Sequence, residues 1–393
     1  MSEAAKTAPG TITPQFNLPD PVTHREIKID TFSIHDILDE NNNCPVKLGN
    51  LQHLIHCQAD LHMAKSVDDQ ARLKDLLKSR ANTLRGFVLH GDTAGPLAYL
   101  VYYPMIDSKG SRVAYCEDFY IAESYRGHGA AKILFHELAK RTLADNFEYI
   151  QWATDSRNTP VHNFVQNKLG AKRPDVVTIS ANGLLGEKDN LLSQWAGKEY
   201  VTRPLRGNDV NLPEKLGLSP NIIRHTGDLD FKGFVTFEKG KPTVPVAITP
   251  GWIHLSTFQL KEGLHLEQPV FMANANKDGL MINEEGIVAS IIDASKKFST
   301  LKQLEYFRWH ILGSASAMKT LLQDRLGLQR DSMLKGQPDT ELIVYTLSNG
   351  ALKKLSENEP DRTLRIPVSA PIGVRTTHVP APPAQPGPSN DNS

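Results

Sequence analysis

Cysteine is scarce in this chain: Cys44, Cys57 and Cys116 are the three among 393 residues. An odd, sparse set argues against a disulfide framework, and none of the three stands in a CxxC or Cys/His metal spacing, so no metal is expected. Charge of one sign is also missing. The 44 Lys and Arg residues balance the 44 Asp and Glu residues, which removes the electrostatic case for nucleic acid or an anionic membrane as the main partner. No run of about 18 apolar residues occurs, so no membrane-spanning helix is expected. The opening residues MSEAAKTAPGTITPQ lack the apolar stretch of a secretory leader. These absences lead to the expectation of a soluble cytoplasmic protein.

What is present suits a mixed α/β fold, with length for two domains of ordinary size. Residues 1–25 are small, polar and spotted with proline, and residues 361–393 run into a proline-rich tail; both are expected to be disordered. Residues 31–80 carry helical spacing, as in LGNLQHLIHCQADLH. Strands are expected at 83–90, 96–106 and 112–122, a helix over 127–144, a strand at 148–154, and a second helix over 159–171 closed by Gly170.

The pattern then repeats. Shifted by 157 residues, 126–173 matches 283–330 at nine positions without a gap. Glu148-Tyr149 meets Glu305-Tyr306, Trp152 meets Trp309, and Leu169-Gly170 meets Leu326-Gly327. ELIVYTL at 341–347 supplies a late strand to the second copy. A period of this length means duplicated domains, not a solenoid. The expected division is 26–206 and 207–360.

A glycine-rich turn, Tyr125-Arg126-Gly127-His128-Gly129-Ala130-Ala131, follows a buried strand and opens a helix. The first N–H groups of a helix are unpaired and the macrodipole adds partial positive charge there. Small residues let a diphosphate approach those donors, and an adjacent arginine adds a charge-assisted hydrogen bond.

In its wider frame, CEDFYIAESYRGHGAAKIL resembles the signature of the GNAT acetyltransferases, with Arg126, Gly129 and Ala131 filling the loop pattern R/Q-x-x-G-x-G/A. Glu117 to Ile121 followed by Tyr125-Arg126-Gly127 looks like the diamine (spermidine/spermine-type) branch, and Asn158 to Ala171 resembles its closing asparagine–helix–glycine segment. The resemblance implies tandem GNAT folds, each a mixed, mostly antiparallel twisted sheet flanked by helices. It also implies acetyl-CoA as co-substrate. Phe119, Tyr120 and Ile121 would meet the pantetheine arm; Arg126, Gly127, His128, Gly129, Ala130, Ala131 and Lys132 would hold the pyrophosphate; Asn158 would lie along the cofactor's other side.

The implied reaction is attack of an amine on the thioester. An alkylamine is protonated near about pH 7, so a carboxylate must hold the ammonium and take its proton. Glu117 is the candidate and Asp118 the second; as neighbours on a strand they are expected to face opposite sides. The family's tyrosine acid is missing, since Val165 or Gln166 stands in its slot and no tyrosine occurs between Tyr149 and Tyr200. His128 and His162 are nearby titratable groups, each read first as a surface histidine. In the second copy Asn283-Glu284-Glu285-Gly286-Ile287-Val288 replaces the loop and Asn274-Ala275 the acidic pair, a degenerate site.

The expected function is therefore N-acetyl transfer to a small primary amine, an amino acid or a protein lysine. The competing class is a catalytically impaired acyl-CoA-binding regulatory or scaffolding module; a third is modification of a protein or a tRNA-borne group. The oligomeric state stays open, a homodimer among the options.

Overall fold

The computed structural model describes residues 24–39, 41, 43–61, 70–80, 83–91, 95–182, 199–209, 211–215, 233–256, 261–271, 283–325, 329–330 and 342–367. The first half runs β1 (His24–Ser33), α1 (Ile34–Leu38), α2 (Leu48–Leu61), α3 (Gln70–Ser79), β2 (Arg85–Gly91), β3 (Gly95–Ile106), β4 (Arg112–Ile121), α4 (Ala130–Ala144), β5 (Tyr149–Asp155), α5 (Thr159–Asn167) and β6 (Val176–Asn182). The second runs β7 (Tyr200–Pro204), α6 (Leu212–Lys215), β8 (Gly233–Glu238), β9 (Pro245–Ser256), β10 (Lys261–Leu266), β11 (Val270–Phe271), α7 (Glu284–Lys302), β12 (Tyr306–Leu312), α8 (Ser316–Thr320), β13 (Gln329–Arg330), β14 (Leu342–Ser348), α9 (Asn349–Glu357) and β15 (Thr363–Pro367).

Two expectations are corrected. The first part of the stretch read as helical belongs to β1, which reaches Ser33 before α1 begins. The tail expected to be disordered from 361 instead forms β15, antiparallel to β1 with Thr363 opposite Lys28. The reason is alternation: Leu364 and Ile366 are buried beside Ile27 and Ile29 in one core, a period-two pattern that propensity arguments about proline overlooked. Residues 1–23 and 368–393 lie outside the described residues.

The strand order is β15-β1-β2-β3-β4-β5-β14-β6-β12-β10-β9-β8-β7. Pairing is antiparallel except β4 with β5 and β10 with β12, the two places where a helix (α4 or α7) crosses over. The halves are related by an exchange. The strand beside β5 is β14 from the chain's end, and the strand beside β12 is β6 from the first half. The exchange is reciprocal in register. Trp152 faces Tyr345 and Lys172 bridges Thr346, while Trp309 faces Ile179 and Gln329 pairs with Ser180. β14 and β6 meet at the centre, Ile343 against Val177.

Three large cores fill the layers among the described residues, beside a smaller fourth around Val235 and Ile248. One lies between the first sheet and α4, α5 and α9, with Phe135, Leu138, Trp152, Val165 and Tyr345 buried in it. A second surrounds α7, with Ile287, Ile291, Trp309 and Leu322. The third packs α1–α3 against the opposite face of β2–β4 and against Trp252 and Leu255 of β9, so it spans the seam between halves. Among the described residues, no helix is long and apolar enough to cross a membrane.

Candidate functional site

The site is built where β4 leaves β5. The two strands pair only from Val113 with Tyr149 to Cys116 with Trp152. Beyond that point β4 continues to Ile121 and β5 to Asp155, so the strands diverge and leave a wedge between them.

The head of α4 closes one end of this wedge. Gly127 (φ 79°) and Gly129 (φ 100°) are both left-handed, which L side chains resist, and a Cβ at either would meet nothing within 4 Å. The mouth is thus open as well as glycine-dependent. The first backbone bonds of the helix run from Lys132 N (2.9 Å) and Ile133 N (3.3 Å) to Gly129 O, so the amides of Ala130 and Ala131 have no intrahelical acceptor. Ala130 is buried, Ala131 half-buried, and Arg126, Gly127, Gly129 and Lys132 are exposed, with His128 between. Arg126 folds back over the Tyr120 ring (5.7 Å) and donates from Nε to Ile121 O (3.0 Å), which fixes the loop to the end of β4.

The other expected cofactor residues lie on the far end of β4 and at the start of α5. Phe119 turns its ring towards α4, edge-on to Phe135 at 5.4 Å. Tyr120 faces the opposite side beside Tyr99, and burial raises its phenol pKa. Asn158 caps α5, its Oδ1 accepting from Val161 N at 3.4 Å. His162 is tied rather than free: Nδ1 lies 2.8 Å from the Tyr345 hydroxyl and Nε2 3.0 Å from Asp155 O. Gln166 Nε2 donates to the same hydroxyl at 3.1 Å. The exchanged strand therefore brings a tyrosine to the helix whose own tyrosine is absent.

The acidic pair departs from expectation. A register shift between Val101 and Tyr102 pairs these residues with Asp118 and Cys116, leaving Glu117 as an extra residue in a β-bulge. Glu117 and Asp118 consequently face the same side of the sheet, not opposite sides. Asp118 accepts from the Tyr99 hydroxyl at 3.0 Å. Glu117 Oε2 lies 3.2 Å from His254 Nδ1 and 3.5 Å from Arg308 Nη1, both from the second half. The Tyr306 hydroxyl reaches the other His254 nitrogen at 2.5 Å. Gly263, opposite Tyr306, makes this possible, because a Cβ there would sit 2.3 Å from the tyrosine ring.

Burial pushes the Glu117 carboxyl pKa upward, but the facing His254 and Arg308 charges outweigh it and hold the pKa below its usual value. Glu117 is thus an ionised group whose charge is balanced across the seam. Arg308→Ala should leave it buried with His254 alone facing it in place of the pair, and lower stability by about 3–5 kcal/mol. The sign with pH follows. Loss of the Arg308 charge raises the folded-state pKa from its wild-type position, so the penalty is largest at neutral pH and shrinks as acid protonates Glu117. Urea unfolding at neutral and mildly acidic pH measures both; an undiminished penalty in acid would contradict the pairing.

Among the described residues, the second half shows no equivalent opening. In the repeat frame Ile287 is the counterpart of Ala130, yet α7 already begins at Glu284. Its mouth is filled: Asn283 Oδ1 accepts from Gly286 N at 3.0 Å, and the Tyr200 hydroxyl accepts from Asn283 N at 3.2 Å. The strand gap is stitched as well, by Trp309 Nε1 donating to Glu267 O (2.8 Å) and Leu312 N donating to Gln268 Oε1 (2.6 Å). In the first half the counterpart indole, Trp152 Nε1, is buried without a hydrogen-bond partner. The expected counterparts of the acidic pair, Asn274 and Ala275, lie outside the described residues. Strand register gives Glu267 and Gln268 instead, since Cys116 pairs with Trp152 as Leu266 pairs with Trp309.

Comparison with known proteins agrees with this geometry. Residues 52–171 match the model of the acetyltransferase (GNAT) family. Among solved structures, a tandem GNAT protein from the clavulanic acid biosynthesis pathway is similar at 10% identity, with 82% of this chain and 99% of that chain covered and a TM-score of 0.50. A GCN5-related N-acetyltransferase from Sphaerobacter thermophilus is similar at 9% identity over 76% of this chain and 92% of that one (TM-score 0.43). One from Kribbella flavida is similar at 11% over 81% and 71% (TM-score 0.38). No curated protein matches. The first of these likenesses is one of fold alone, and the family match places a GNAT acetyltransferase domain at residues 52–171.

Proposed function

We propose that this protein is an acetyl-CoA-dependent N-acetyltransferase whose single working site lies in the first half, with a primary amine as acceptor. The observation that carries the reading is the open wedge between β4 and β5, headed by the left-handed glycines of the α4 loop and lying within the family match.

In this reading Arg126 to Lys132 hold the pyrophosphate, Phe119 to Ile121 offer backbone groups to the pantetheine arm, and Asn158 flanks it. The indole N–H of Trp152 fills a role missed in the sequence. It is a buried donor at the base of the wedge, and its twin Trp309 spends the same group on a backbone carbonyl. A pantetheine or thioester carbonyl is the acceptor that would satisfy it, because an unpaired buried donor is costly.

The acceptor ammonium is drawn to the Glu117–Asp118 edge of the wedge. Its low pKa makes Glu117 better at holding a cation than at keeping a proton, so Asp118 or a water between them completes the deprotonation. The neutral nitrogen then bonds to the thioester carbon, the C–S bond breaks, and the CoA thiolate takes up a proton. Small amines, diamines, amino acids and protein lysines all meet these requirements.

The test is thiol release from acetyl-CoA with a panel of such amines, checked by the mass of the N-acetyl product. Release is expected for at least one amine. Trp152→Phe should raise the acetyl-CoA KM by about 2–10-fold, the worth of one hydrogen bond, with kcat less affected. Glu117→Gln should lower turnover more than cofactor affinity. Tight acetyl-CoA binding with no release across the panel would favour the sensor or scaffold reading instead.

A further inference from the structure

The seam between the halves holds a second cluster that acetyl transfer does not use. His265 on β10, Glu267 just beyond it and His310 on β12 are all buried. One ligand atom from each lies within 4.8 Å of the others. His310 Nδ1 is 3.1 Å and His265 Nε2 3.9 Å from Glu267 Oε1. The rings of His265 and His310 stand perpendicular, 4.1 Å apart.

The cluster is held rigidly. His265 stacks on Trp252 at 3.9 Å, and Tyr115 lies edge-on to it at 5.4 Å. Gln151 Nε2 approaches His310 Nδ1 at 3.4 Å. These contacts fix ring planes, yet they leave polar atoms over. Both ring nitrogens of His265 and Nε2 of His310 are buried without a hydrogen-bond partner. A neutral imidazole always carries one donor and one acceptor, so His265 leaves two unmet groups in a fully buried place. Each such group costs about 1–3 kcal/mol. A core that needed only packing would place an apolar residue here.

We infer that His265, Glu267 and His310 form a binding site for one divalent transition-metal ion, of the class that prefers imidazole and carboxylate ligands such as zinc or cobalt(II). Two imidazoles and a carboxylate suit that donor preference. Ligand atoms on a tetrahedral ion with bonds near 2.1 Å sit about 3.4 Å apart, which small side-chain rotations from the present separations reach. Gln151 and Tyr115, from the first half, would then line a site built by the second. The inference is independent of the acetyltransferase reading.

Cobalt(II) titration of the full chain, followed by visible absorption and by metal content after dialysis, tests it. The wild-type chain should take up about one ion, develop the bands of a nitrogen–oxygen cobalt site, and melt at a higher temperature with the metal than without. His265→Ala/His310→Ala should lose the bands and the metal-dependent shift, and Glu267→Gln should weaken binding. Should the double variant fail to fold, stripping the wild-type chain with a chelator decides the matter: the melting point should fall and return when metal is restored. A wild-type chain that binds no metal above background, and whose melting point ignores the chelator, overturns the site and leaves buried water as the partner of these rings.

Discussion

Residues 24–206 expressed alone should fail to form a stable acetyl-CoA-binding domain, although they contain the whole glycine loop and the acidic pair. Cutting there removes β14, α9 and β15. These bury Val344, Tyr345, Leu347, Leu352, Leu364 and Ile366 in or against the first half. Fully burying a large apolar side chain contributes about 1.5–3 kcal/mol, so six sum to about 9–18 kcal/mol. That is an upper figure, but it matches the entire stability of an ordinary domain, about 5–15 kcal/mol. The cut also bares β5 along its length and removes the carbonyl of Leu355 from His136 Nδ1 (2.8 Å) and Arg362 from Glu137. The expected outcome is a chain without a cooperative melting transition. Adding residues 342–367, by fusion or as a separate peptide, should restore one. A well-folded 24–206 fragment that binds acetyl-CoA would refute the dependence.

Gly129→Glu should abolish cofactor binding while leaving the fold largely intact. Two effects act together. The backbone at this position has φ 100°, a conformation that costs a non-glycine residue about 1–3 kcal/mol. The new carboxylate would stand where the helix amides attract a diphosphate, turning attraction into like-charge repulsion. The acetyl-CoA KM should rise about 100-fold or more, equivalent to about 2.7 kcal/mol or more. Because no atom lies within 4 Å of a Cβ there, the melting point should fall only by the strain. Gly129→Ala separates the two: it carries the strain without the charge and should bind several-fold better than the glutamate variant. Unchanged affinity in Gly129→Glu would remove the loop from the cofactor site. The second half keeps a glycine at the counterpart position, Gly286, but already carries acid just before it, with Glu284 and Glu285 in the first turn of α7.

Much of the first half was legible in the chain itself. Strands β2 to β5 and helices α4 and α5 fall close to the ranges their periodicity predicts, because local pattern and burial agree there. Gly170, expected as a helix stop, has φ 69° and follows α5. The repeat was legible from Trp152 and Trp309, which occupy matching strands. The identity of β5's neighbour was not. A strand such as ELIVYTL fits beside either β5 or β12, and only tertiary packing decides. The bulge at Glu117 was hidden for a similar reason, since it is a mismatch between two strands, not a property of one. His254, Tyr306 and Arg308 carry no local motif. Their approach to Glu117 depends on how β9, β10 and β12 meet the first half. Glu267 escaped because an ungapped shift of 157 suits the helices, while strand register runs at 150; seven extra residues lie between strand and helix in the second copy.

The exchanged strands also set a timetable for synthesis. β5 leaves the ribosome long before β14, and β1 long before β15, so the first half cannot finish its sheet until nearly the whole chain has been made. Contacts this distant in sequence slow folding. Meanwhile the edge of β5 waits uncovered, a surface prone to wrong pairing. Helper proteins that shield nascent chains should therefore matter more for this protein than for a single-copy relative, and slowing translation late in the message should lengthen the vulnerable interval.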